Sequence, residues 1–258
     1  MEIWHMSGAG NDFIVLDARK LTLDYPKLAQ KLCAEYGADG FLALSEAEVG
    51  DFRLHFYNPD GLRGEMCGNG ARCICRFAYD HGIAPAHMRV QTDAGLVEGW
   101  HLSESRYRLK LNLPSVLELN RRPDAAYVEL GDPGIPHTLV ELESLRYDKI
   151  ADLLPYALEL RHDPVFPKGV NVNLYTRLGE GAVRVLTYER GVEDYTLACG
   201  TGCASIAAVM HAKGQLPGGI LTAQNRGGEL TVTLEETEGK LSAIYLEGPV
   251  QILSKHEI

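Results

Sequence analysis

The chain has no excess of positive charge: 25 Lys and Arg stand against 35 Asp and Glu in 258 residues, a formal net charge of -10. With no basic stripe to displace counterions from phosphates, a nucleic-acid partner is excluded. Long apolar runs are also missing. The longest mostly apolar stretch, Leu197 to Met210, is broken by Gly, Thr and Ser and falls short of the ~20 residues a membrane span needs. The opening Met1-Glu2-Ile3-Trp4-His5 carries an acid where a signal peptide carries positive charge, and no apolar segment with a cleavage site follows. No membrane partner and a cytoplasmic location are therefore expected. Metal and cofactor signatures are lacking too. The nine histidines show no His-Glu-x-x-His pattern, and Gly8-Ala9-Gly10 has neither the Walker pattern nor the Rossmann spacing. A zinc site from Cys73, Cys75 and Cys203 is disfavoured, because structural zinc ligands recur as Cys pairs two to four residues apart. Neither metal nor cofactor is expected.

What is present suits a folded enzyme. Hydrophobic residues make up 45% and charged residues 23%, enough for a substantial core. Six cysteines in a chain of this length, with no sign of secretion, read as reduced thiols. Phe13 to Asp17, Phe52 to Tyr57 and Arg106 to Leu113 read as strands. Asp24 to Tyr36 reads as a helix, with Pro26 near its start and Gly37 past its end. A second helix is expected from about Gly68 to His81. The second half repeats this order: strands at Val128 to Leu130 and Thr138 to Leu142, a helix from about Asp148 to Leu160, strands at Val170 to Tyr175 and Val183 to Tyr188, and a helix from about Gly200 to Lys213. Leu230 to Leu234 and Leu241 to Leu246 are further strands, and Pro114 to Pro123 is the expected crossing between halves.

The repetition reaches single residues. Cys67-Gly68-Asn69-Gly70 is matched by Cys199-Gly200-Thr201-Gly202, and a glycine, Gly82 or Gly214, falls fifteen positions after each cysteine. An internal duplication places one cysteine before the first turn of a helix in each copy. There the partial positive charge of open N–H groups favours a thiolate, and the glycines leave those groups open to an anion such as a carboxylate. Two such units suit a reaction in which one group removes a proton and the other delivers one to the opposite face, inverting a stereocentre without a cofactor.

At these residues the sequence resembles the diaminopimelate epimerase family. The resemblance is carried by Ser7-Gly8-Ala9-Gly10-Asn11-Asp12-Phe13, Asn58-Pro59-Asp60-Gly61, Met66-Cys67-Gly68-Asn69-Gly70-Ala71-Arg72-Cys73, Asn171-Val172-Asn173, Glu189-Arg190-Gly191 and Ala198-Cys199-Gly200-Thr201-Gly202. It implies an α+β fold of two pseudo-symmetric domains, each a strand-rich, barrel-like sheet around a central helix. The domains would be 1–114, carrying Cys67, and 115–249, carrying Cys199, with a last strand near Val250 to Lys255 returning to the first. It further implies a PLP-independent isomerase that interconverts LL- and meso-diaminopimelate, a small amino-acid substrate, with Cys67 and Cys199 as acid and base. Gly68, Asn69, Gly200 and Thr201 would hold the reacting carboxylate and Glu189 the reacting amino group. Asn11, Asn58, Asn171 and Arg190 would line the rest of the site, and a homodimer is expected.

Two positions depart from the family pattern. Gly40 stands where a Gln is common, and Ile135 where an Asn often precedes Pro136-His137. Each removes a polar group expected near the substrate, so a racemase of another amino acid, such as histidine, stays open. A redox-sensing protein that pairs Cys67 with Cys199 is the non-enzymatic alternative.

Overall fold

The computed structural model describes residues 1–64 and 66–258. The chain forms two compact units, Met1–Lys110 with Glu247–Ile258, and Leu111–Leu246.

In the first unit, β1 (Glu2–Gly8) and β2 (Asn11–Asp17) form an antiparallel hairpin. Its Ala9-Gly10 connection has both residues at positive φ, 53° and 89°, the twist that a two-residue hairpin turn requires. After α1 (Tyr25–Tyr36) the chain returns as β3 (Gly40–Ser45), parallel to β2. Asp24 caps α1, its carboxylate accepting from Lys27 N at 3.3 Å, and Gly37 ends it at φ 68°. Next come β4 (Phe52–Tyr57), the two-residue β5 (Arg63–Gly64) and α2 (Gly68–Asp80). β6 (His87–Thr92) pairs parallel to β4, and β7 (Gly95–Ser103) and β8 (Arg106–Leu111) follow antiparallel. The C-terminal stretch of the chain pairs β1 over residues 250–257 and also pairs β8. The ladder therefore closes into an eight-stranded barrel.

The second unit repeats the order with the same strand directions. β9 (Pro114–Arg122), β10 (Ala125–Leu130) and β11 (Ile135–Glu141) are antiparallel, and α3 (Ile150–His162) leads to β12 (Asn171–Gly179), parallel to β11. Then come β13 (Ala182–Glu189), the two-residue β14 (Asp194–Tyr195), α4 (Gly200–Ala212), β15 (Ile220–Asn225) parallel to β13, β16 (Gly228–Thr237) and β17 (Lys240–Glu257). Each copy is thus hairpin, outer helix, antiparallel pair, inner helix, parallel return. The stretch read as a crossing is instead β9. Pro114 stands at its first position, where a missing N–H costs no ladder bond, and Val116 and Leu117 pair with Glu129 and Val128 of β10. The third helix begins two residues later than expected, after a 3-10 turn at Tyr147–Lys149.

The outer and inner helices differ as their surroundings require. α1 buries only Ala29, Leu32 and Cys33. α2 packs against β1, β2, β3, β4 and β7, and α4 against β9, β10, β11, β12, β15 and β16. A helix walled by strands must be apolar or small on nearly every face. In α4 the run Gly202 to Met210 is buried throughout, and α2 buries Asn69 to Cys75 with Phe77 and Ala78. Both helices end alike: Ile83 N donates to Ala78 O and Gln215 N to Met210 O, each at 2.8 Å, around Gly82 and Gly214 at φ 64° and 69°.

Ile74 and Ile206 occupy the same place in the two inner helices, and both are fully buried. Replacing either with Ala is expected to destabilise its unit by about 2–5 kcal/mol, read from urea midpoints at unchanged m-value.

Candidate active site

Each inner helix opens at a cysteine. Cys67 is the N-cap of α2 at φ -128°, ψ 121°, and Cys199 the N-cap of α4 at φ -119°, ψ 105°. Their carbonyls accept the first helical bonds, from Ala71 N at 2.7 Å and Cys203 N at 3.0 Å. The extended N-cap turns each side chain off the helix axis, and the first-turn N–H groups, those of Gly68 and Asn69 or Gly200 and Thr201, lie ahead of the helical hydrogen-bond ladder.

At the first cysteine, Asn69 is 5% exposed. Its Nδ2 donates to Asn11 Oδ1 at 2.6 Å and its Oδ1 accepts from Arg72 Nη2 at 2.8 Å. Asn11 Nδ2 donates in turn to Asp39 Oδ2 at 3.2 Å. Asn58 begins the turn that leads into β5: its carbonyl accepts from Gly61 N at 2.9 Å, and its side chain donates to Leu62 O at 3.4 Å. The backbone of the turn is set by Asp60, whose carboxylate accepts from Leu62 N at 2.8 Å, and by Gly61 at φ 83°.

At the second, Cys199 is buried and its Sγ lies 3.5 Å from Thr201 Oγ1. Burial pushes the thiol's pKa well up, and the nearby Glu189 carboxylate pushes the same way, outweighing the Thr201 hydroxyl and Gly202 N–H that favour the thiolate. Desolvation at Cys199 thus outweighs the pull of the helix N-terminus toward the thiolate. Burial also raises the pKa of Glu189, which ends β13. Asn171, first in β12, accepts from Arg190 N at 2.8 Å and donates to Pro136 O at 3.3 Å. Arg190 is exposed and donates to Lys168 O at 2.9 Å.

Three further buried polar residues stand out, Asn173, His137 and Arg72. Asn173 is fully buried; its Nδ2 faces His137 Nδ1, Thr138 O and Asn171 O at 3.1 to 3.2 Å, and its Oδ1 accepts from Thr187 Oγ1 at 3.0 Å. The Nε2 of His137 is buried and bonds to none of the described residues. Arg72 is the third, fully buried on α2. The signals were the Asn-Val-Asn alternation at the head of β12 and an Arg within the small, apolar run Gly70 to Cys75. Of the two departures, Gly40 is enclosed, and a Cβ there would come within 2.7 Å of the Phe56 ring. Ile135 lies 38% exposed at the start of β11. Among the described residues no group of three or more His, Cys, Asp and Glu could hold a metal ion.

The model of the diaminopimelate epimerase family matches residues 3–106 and 131–253, and with them both cysteine segments. The diaminopimelate epimerase of Chlorobaculum tepidum is 36% identical over 98% of this chain and 99% of its own. The chain belongs to the diaminopimelate epimerase family. The family member of Aquifex aeolicus is 34% identical over 97% of this chain and 95% of its own. Among solved structures, a phenazine biosynthesis protein of the PhzF family from Bacillus anthracis superposes with a TM-score of 0.74 at 14% identity, covering 100% of this chain and 98% of that one. A probable proline racemase from Agrobacterium radiobacter gives 0.70 at 19%, covering 100% and 92%. These two share the fold of this epimerase-family chain, a pair of strand-rich halves each built around an inner helix.

A Cβ at Gly202 would overlap Asn173 Oδ1, whereas one at Gly70 would meet only the Leu42 and Phe13 side chains at 3.1 and 3.3 Å. Gly202→Ala is therefore expected to lower the melting temperature more than Gly70→Ala, measured by calorimetry. Burial pushes His137 down to about 3 from 6.5. The unfolded chain then binds this proton more readily than the native one, so stability is intact above about pH 6.5 and is lost as pH falls toward 3. Between pH 7 and pH 5 the loss is about 2 kcal/mol, and urea titrations of His137→Gln should lack that component.

Proposed function

We propose that this protein interconverts LL- and meso-diaminopimelate by two-base proton transfer at the α-carbon, with Cys67 and Cys199 as the acid/base pair. The observation that carries the reading is the repeated one: in each copy of the duplicated unit a cysteine caps the inner helix in nearly the same backbone conformation. The kinship with epimerases supplies the substrate.

In this scheme the buried Cys199 thiol holds the proton to be delivered, and Cys67 is the base that takes the α-proton from the other face. In the reverse direction the roles exchange. The reacting carboxylate sits on the N–H groups of Gly68, Asn69, Gly200 and Thr201, where two helix N-termini stabilise the charge that develops as the proton leaves. Glu189, with its raised pKa, takes the reacting amino group. Asn11, Asn58, Asn171 and Arg190 hold the remainder of the substrate. The reading assigns one cysteine to each of two domains, 1–114 with the returning C-terminal strand, and 115–249. That all six cysteines are free thiols supports a reducing, cytoplasmic setting.

Proton NMR of the reduced protein with LL-diaminopimelate in deuterium oxide tests this. The α-proton signal should disappear as the meso isomer appears, and Cys67→Ala and Cys199→Ala should each slow epimerisation by about 10²–10⁴-fold or more. Absence of exchange in folded protein with free thiols would sink the substrate assignment, and a single mutant with near-normal turnover would sink the two-base scheme.

A further inference from the structure

The hydrogen-bonded chain at the start of α2 has ends of fixed polarity. It runs from Arg72 Nη2 to Asn69 Oδ1, from Asn69 Nδ2 to Asn11 Oδ1, and from Asn11 Nδ2 to Asp39 Oδ2, at 2.8, 2.6 and 3.2 Å. An isolated side-chain amide can sit either way round, and here its neighbours choose. A guanidinium has donors only, so the atom of Asn69 that faces Arg72 must be its oxygen. A carboxylate offers acceptors only, so the atom of Asn11 that faces Asp39 must be its nitrogen. Reversing either amide would set donor against donor or acceptor against acceptor at two links.

Both ends are anchored. Arg72 is fully buried and also donates from Nη1 to Gly68 O at 3.4 Å. Asp39 is locked to the start of β2: its Oδ2 also accepts from Asp12 N at 2.9 Å, and its own N–H donates to Asp12 O at 2.8 Å. A buried guanidinium is costly to desolvate, and an apolar side chain of similar volume serves packing as well or better. Packing alone therefore does not account for an Arg on this helix.

We propose that Arg72 and Asp39 are positioning residues: from the two ends they set the direction of the Asn69–Asn11 relay and so hold in one orientation the Asn11 amide and the α2 first turn, whose Asn69 N–H meets the substrate. The proposal rests on the reading above, in which Asn69 and Asn11 meet the substrate.

The full-length protein is prepared as Arg72→Met, Arg72→Lys and Asp39→Asn, and the Met and Asn changes are also combined with Asn69→Ala and Asn11→Ala respectively. With LL-diaminopimelate, Arg72→Met should lower kcat/KM at least tenfold, with KM rising more than kcat falls, and Arg72→Lys should recover part of the loss. Added to Asn69→Ala it should cost less than a further twofold, because its effect passes through that amide. Asp39→Asn should behave likewise toward Asn11→Ala. Losses that multiply in both cycles would overturn the proposal. Should Arg72→Met fail to fold, the exposed Asp39 arm decides alone. A second readout needs no substrate: in protein labelled with ¹⁵N-asparagine, Asp39→Asn should move the side-chain amide signals of Asn11 and of Asn69, two links away. An unmoved Asn69 signal would refute the relay. If the wild type does not epimerise diaminopimelate, the functional reading fails and the spectra still decide the relay.

Discussion

Enclosing a helix inside a sheet removes water from every side of it, and the chemistry of both cysteines follows from how α2 and α4 meet that demand. At Gly200 and Gly202 the first turn of α4 leaves no room for a Cβ. Gly202 lies against Asn173, and even Gly8, across from α2, is so close to Asn69 O that a Cβ would come within 2.7 Å. The same crowding leaves the backbone N–H groups of the first turn fixed in direction after each cap cysteine, with Cys199 buried and Cys67 half-buried. A preorganised donor set in a dry setting stabilises a developing carboxylate charge more than the same groups would in water.

Burial also decides the protonation of the groups around the second cysteine. A helix N-terminus pulls a thiol toward thiolate, but at Cys199 desolvation and the Glu189 carboxylate push harder in the opposite direction. Glu189 moves up for the same reason and His137 down. All three shifts lean toward the neutral form, because desolvation is the first cause of each. A neutral thiol poised beside helix N–H groups is a suitable proton donor, because the thiolate left after donation gains those N–H groups as partners.

The two copies are equivalent in backbone and unequal in side chains. Asn69 at the first cysteine is tied into a chain reaching Arg72 on one side and Asp39 on the other, while its counterpart Thr201 turns its hydroxyl to the sulfur of Cys199. The duplication supplies two like frames, and substitution within them gives each cysteine its own surroundings.

Much of this was legible in the linear chain. Helix punctuation, Asp24 with Gly37 and then Gly82 and Gly214, marked α1, α2 and α4 to within a residue or two, because capping is local chemistry. The offset between Cys67-Gly68 and Cys199-Gly200 exposed the duplication. Strands were harder. β3, short and apolar from Phe41 to Leu44, has no period to read, and β9 was hidden behind Pro114 and Pro123. The sequence by itself determined the inner helices, the two cysteines at their caps and the kinship with epimerases, since each rests on short-range pattern. Only the tertiary structure decided that β9 is a strand, that burial pushes the Cys199 thiol up, and that Arg72, Asn69, Asn11 and Asp39 form one chain. Those depend on desolvation and on partners up to 58 residues away, which no local pattern encodes.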